Sequence, residues 1–135
     1  MAISKKSLYG ISALYYLSKH PNQPISIKEI SNNCSIPKKF LEQILLELKN
    51  ANIIKSIRGN KGGYIIEKPS NQVKIIDILN VIDKDFCVNL TSINDTTIKN
   101  VFTHIQKNIN AMLSLTLEEF QSFDEENMNS YTYTI

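Results

Sequence analysis

The sequence predicts a mainly α (α+β) fold, with four helices and a β-hairpin in one body and a long separate helix after it. Three observations predict it. Apolar residues recur at helical spacing through residues 4–50. A β-branched run, a basic glycine-rich turn and a second β run follow directly. Residues 96–114 then carry apolar side chains at steps of three, four and seven, the pattern of a coiled-coil seam.

Residues 4–19 form the first predicted helix, with Leu8, Ile11, Leu14, Tyr15 and Leu17 as its apolar stripe. Pro21 ends it, and His20 at that end suits a helix-dipole contact better than chemistry. Ser26-Ile27-Lys28-Glu29 is a capping box that starts a short second helix running to about Asn33. Residues 32–35 make a turn, and Pro37 fits the first turn of a third helix that continues to about Asn50. Phe40, Leu41, Ile44, Leu45 and Leu48 would face the core there, leaving Lys38, Lys39, Glu42, Gln43 and Glu47 on the opposite side. Two helices joined by a short turn, the second with a polar face, make a helix-turn-helix pattern.

Residues 53–57 and 64–67 read as two strands, joined by Arg58, Gly59, Asn60, Lys61, Gly62 and Gly63. This cationic hairpin tip completes a winged helix-turn-helix, and its glycines permit positive φ and close approach of a ligand. It is no P-loop, because a GK[ST] sequence and a parallel sheet are both missing. Residues 74–82 suit a buried fourth helix, and residues 83–91 an irregular loop with Phe86 and Cys87. The long helix that follows would present Ile98, Val101, Phe102, Ile105, Ile109 and Met112 as its seam. Thr116-Leu117-Glu118-Glu119 is a second capping box, for a last short helix. The expected organisation is a winged helix-turn-helix domain over 1–82, a loop and long helix over 83–123, and a flexible polar tail over 124–135.

Charge is unevenly divided. Residues 1–68 hold 11 Lys+Arg against 4 Asp+Glu, a net +7, whereas residues 69–135 hold 4 against 9, a net −5. A basic half joined to an acidic half suggests that one end meets a polyanion. The two cysteines, Cys34 and Cys87, give neither a disulfide framework nor paired-cysteine zinc spacing. With no signal peptide and no apolar run long enough to span a bilayer, a cytoplasmic protein without a membrane partner is expected. Two histidines without a partner motif, and carboxylates on helix surfaces or in the tail, give no basis for an enzyme and no catalytic residues.

Residues 25–67 resemble the Rrf-type (Rrf-two) family of bacterial winged-helix transcription regulators. The group includes the iron–sulfur cluster regulator, the nitric-oxide-sensitive repressor and the cysteine-metabolism repressor. Ile30, Ser35-Ile36, Phe40-Leu41-Glu42-Gln43-Ile44 and Leu48 carry the resemblance, with Arg58-Gly59 and Lys61-Gly62-Gly63-Tyr64 after them. Weaker similarity extends over residues 7–17, 73–82 and 96–113.

The resemblance implies a homodimeric DNA-binding repressor that meets a pseudo-palindromic, AT-rich operator, with the long helix as the dimerisation helix. It places Glu42 and Gln43 at the base-reading positions, where Gln can pair with adenine and Glu can accept from cytosine. Arg58 would enter the minor groove. Lys38, Lys39 and Lys61 would hold phosphates. Many members of the family carry an iron–sulfur cluster on three cysteines and a further ligand, often histidine. Here only Cys87 and His104 match, while Asn94-Asp95 and Val101 stand where the other cysteines would. No cofactor and no metal are therefore expected; a cluster bridged between subunits by Cys87 and His104 is the alternative. Cys34, close to the start of the recognition helix, is a candidate thiol sensor, as is Cys87, although free cysteine ordinarily serves as a small hydrophobe. The competing functions are a winged-helix protein-interaction module and a regulator switched by thiol oxidation.

Overall fold

The computed structural model describes residues 2–84, 86 and 90–124. Its elements are α1 (Lys5–Ser18), α2 (Ile27–Cys34), α3 (Lys38–Asn50), β1 (Ile54–Ile57), β2 (Gly63–Ile66), a 3-10 turn (Ser70–Gln72), α4 (Ile75–Ile82), α5 (Thr96–Met112) and a 3-10 segment (Glu118–Phe123). The fold is thus mainly α with a β-hairpin wing and a long C-terminal helix. Cys87 and the tail beyond Asp124 lie outside the described residues.

Local chemistry sets the helix starts. Ser4 accepts from the Ser7 N–H at 3.1 Å, and Ser26 accepts from the Glu29 N–H at 3.2 Å. The Glu29 carboxylate accepts from the Tyr16 hydroxyl at 3.4 Å, a contact that the expected capping box did not include. Pro37 stands at the N-cap of α3, one residue earlier than expected. The last segment does carry its box, Thr116 N–H to Glu119 Oε2 at 2.9 Å and Glu119 N–H to Thr116 Oγ1 at 3.4 Å, but coils as a 3-10 helix.

The core packs Leu14 and Leu17 of α1, Ile30 of α2, Leu41, Ile44, Leu45 and Leu48 of α3, and Ile78 and Ile82 of α4. Two expectations fail at its edge. Leu8 is 55% exposed, and Phe40 is 50% exposed with its ring 6.3 Å from that of Tyr9. The inner face of α1 is built from Ser7, Gly10 and Ala13 together with the two leucines. A Cβ on Gly10 would strike the end of the Ile82 side chain, so α1 and α4 pack too closely for a large residue there.

β1 and β2 pair antiparallel from Ile54↔Ile66 to Ile57↔Gly63. Ile25 adds an isolated antiparallel bridge to β2, with its N–H donating to Tyr64 O at 3.1 Å and its carbonyl accepting from Tyr64 N–H at 2.8 Å. Gly63, expected at the wing tip, belongs to β2, and a Cβ there would overlap the Ile25 backbone.

The end of α4 returns to the start of α1. Asp83 Oδ2 accepts from the Ser4 N–H at 3.0 Å and from the Ser7 hydroxyl at 2.7 Å. The chain leaving α5 is laced to the chain entering α4 by backbone bonds. Ile76 N–H donates to Leu113 O at 2.9 Å, Ile75 N–H to Leu115 O at 3.0 Å and Leu117 N–H to Val73 O at 3.0 Å. By contrast α5 has no buried residue along its length. No helix among the described residues is long and apolar enough to cross a membrane.

Candidate nucleic-acid interface

The α2–α3 turn is locked from both sides. Ser35 takes left-handed φ of 54°, the Ile36 N–H donates to Ser31 O at 3.1 Å, and the Ser31 hydroxyl donates to Ile36 O at 2.6 Å. Ile36 is buried below the turn, which fixes the direction in which α3 leaves it. With Leu41, Ile44, Leu45 and Leu48 inward, Lys38, Lys39, Glu42 and Gln43 stand exposed on the first two turns of α3.

Gln43 Nε2 approaches Glu47 Oε1 at 3.5 Å, and the Lys6 ammonium holds the same oxygen at 2.6 Å. Glu47 Oε2 is buried with no hydrogen-bond partner. Glu47, expected on the free polar face, is therefore a tie between α3 and α1. Its bond to Gln43 is long and weak, and the amide can leave it without much cost.

Across the wing tip Arg58, Gly59, Asn60 and Lys61 are all exposed. Gly59 has φ of 123°, open to glycine and strained for other residues, and its carbonyl closes the turn on the Gly62 N–H at 3.0 Å. Lys55 on β1 is exposed too, a hairpin cation that sequence reasoning did not single out. Its place directly after the inward-facing Ile54 puts it on the outer face by the period of two, and that is the signal that would have found it.

Cys34 closes α2, and its thiol donates to Ser12 O at 3.9 Å. Burial pushes that thiol up from its ordinary pKa, against the smaller opposing effects of the Ser12 side chain and Lys19, which keeps it in the less nucleophilic protonated form. His104 is exposed on α5, with its Nε2 3.2 Å from the Asn108 amide nitrogen. Asp95 uses one carboxylate oxygen to cap α5, accepting from the Thr97 and Ile98 N–H groups at 2.9 and 3.2 Å. Among the described residues no group of three or more His, Cys, Asp or Glu side chains is placed to hold a metal ion. On α5 itself Ile98, Val101, Phe102, Ile105 and Met112 are exposed, and Ile109 is half-buried.

Similarity to known proteins runs along the whole chain. The model of the Rrf2 family, described as iron-dependent transcriptional regulators, matches residues 3–133. The HTH-type transcriptional regulator CymR of Bacillus subtilis is 29% identical over 138 aligned positions, which cover 100% of both chains. IscR of Cereibacter sphaeroides is 29% identical over 87 positions, 62% of this chain and 56% of that one. The solved structure of CymR, the global cysteine regulator of B. subtilis, superposes with a TM-score of 0.80 at 28% identity, over 93% of this chain and 99% of that one. That of T. potens IscR gives 0.75 at 29% identity, over 93% and 90%. The protein thus belongs to the Rrf2 family of winged helix-turn-helix transcriptional regulators, DNA-binding proteins and not enzymes.

Proposed function

We propose that the chain is a sequence-specific repressor that binds a pseudo-palindromic operator as a homodimer, paired through α5. The observation that carries this reading is the pairing of two exposed surfaces. One is the cationic wing beside the polar face of α3; the other is a seventeen-residue helix with an apolar stripe and no buried residue. The first suits a polyanion and the second a copy of itself.

In this reading Glu42 and Gln43 meet base edges in the major groove, and the Gln43 amide releases Glu47 to do so. Arg58 enters the adjacent minor groove, where narrow AT-rich DNA concentrates negative potential. Lys38, Lys39 and Lys61 hold phosphates and set register. The fit of an iron–sulfur cluster is poor. The sequence has only two cysteines, Asp95 is spent on a helix cap, and His104 stands exposed beside Asn108. Four-ligand clusters need thiolates brought together.

The test is operator binding by the Arg58→Ala variant. Selected duplexes titrated with wild type and variant should show a loss of about 1–3 kcal/mol, the size of one good base contact. Wild-type affinity should also fall steeply with salt as phosphates are neutralised. An unchanged isotherm for the variant would remove the wing from the interface.

A further inference from the structure

A recess of about 320 Å³ opens between α1 and the chain that leaves α5, lined by Tyr15, Leu115, Phe120, Phe123 and Asp124. The Tyr15 and Phe120 rings lie 5.4 Å apart at 48°, and Phe123 keeps 62% of its surface exposed. Asp124 closes one side, where its Oδ2 accepts from the Tyr15 hydroxyl at 3.3 Å. The same oxygen pairs with the Lys19 ammonium at 3.5 Å, and that ammonium sits 4.3 Å from the centre of the Tyr15 ring.

An ammonium group of the chain itself thus already rests against one wall of the recess, between an aromatic face and a carboxylate. Glu118, Glu119 and Asp124 give the 3-10 segment and its end three carboxylates and no cation. We propose that the recess is a binding site for a small organic cation, an alkylammonium with a compact apolar body. Aromatic faces attract such cations through the ring quadrupole, Asp124 supplies the countercharge, and the apolar walls take the carbon body. Lys19 is a tethered competitor. Its pair with Asp124 is half-exposed and therefore weak, and its flexible stem lets the ammonium move into water when a ligand arrives. An anionic ligand would meet the carboxylates of Glu118, Glu119 and Asp124, and a neutral one could not take the place of the Lys19 ammonium beside Asp124. The site touches neither the wing nor α3, so it stands or falls independently of the operator reading.

The probe is choline, set against its neutral isostere 3,3-dimethylbutan-1-ol, in calorimetric titrations of the full chain. Choline should bind saturably and roughly tenfold or more tighter than the alcohol, because only the cation engages the rings and carboxylate. Phe120→Leu keeps apolar bulk but removes a ring, and should weaken choline by about tenfold while the helical circular dichroism is unchanged. Lys19→Gln removes an exposed competitor and should strengthen choline binding several-fold. Equal binding of choline and the alcohol would overturn the proposal in favour of a merely apolar cleft, and no saturable heat with either would overturn it outright. Shifts of the Phe120 and Phe123 ring resonances that follow protein concentration and ignore choline would make a second copy the occupant, and also overturn it.

Discussion

At Gly63 one absent carbon decides how the hairpin joins the body. The Ile25 backbone occupies the space a Cβ would need, and the two Ile25–Tyr64 hydrogen bonds depend on that approach. Gly63→Ala should destabilise the fold by roughly 1–3 kcal/mol, as overpacking against a fixed backbone does. Urea unfolding of the variant measures this, and an unchanged midpoint would mean that the Ile25 bridge adjusts freely. The glycines of the basic turn were legible as a group, but their separate duties were not. Gly59 supplies a positive φ at the tip, whereas Gly63 admits the backbone of Ile25 from far back in the chain. The misplaced residues teach the same point. Leu8 and Phe40 are apolar and sit on helical stripes, yet the core reaches past them to Ser7, Gly10 and Ala13. Close helix packing selects for small size as well as for apolarity, and a hydrophobic stripe reports only the second.

Among the elements, the recognition helix and the wing were the most legible, because short-range chemistry specifies them. A capped α2, a proline ahead of α3 and a glycine-rich turn between β-branched runs all act within a few residues. The tie from α4 back to α1 was illegible, since Asp83 and Ser7 meet only after folding. Burial pushes the Asp83 carboxyl up. The Ser4 N–H, the Ser7 hydroxyl and Lys6 together outweigh burial and hold it below the usual carboxylate value. A carboxyl with a depressed folded pKa contributes stability that is fully present above its unfolded value, near about 3.9, and is lost as pH falls through the folded one. Asp83→Asn should therefore cost about 1 kcal/mol at neutral pH, the scale of one hydrogen bond. The difference from wild type should vanish in acid. Denaturant titrations at stepped pH check both parts, and a gap that persists below the carboxylate range would assign Asp83 a role other than its charge.

For the whole molecule, the sequence made the long helix visible as a stripe, and the structure leaves that stripe uncovered within the chain. Ile105 is 38% exposed, so Ile105→Glu should leave the fold intact. In the proposed dimer the same change puts a charge into an apolar seam, and sedimentation should show a monomer. A variant that stays dimeric would place the pairing surface elsewhere. The recess at Tyr15, Phe120 and Asp124 had no sequence signature at all, because its walls are separated by a hundred residues and meet only through the chain that follows α5.

The backbone lacing between residues 73–76 and 113–117 has a further consequence for how such a dimer would measure DNA. Those bonds run between main-chain atoms, so side-chain change along them leaves the attachment of α5 in place. The lacing would act as a fixed protractor. In the proposed dimer it would hold the angle at which each reading head leaves the shared axis, and with it the number of base pairs between half-sites. Spacing would then be inherited separately from sequence preference. The reading face of α3 could drift to a new operator while the distance between its two halves stays as it was.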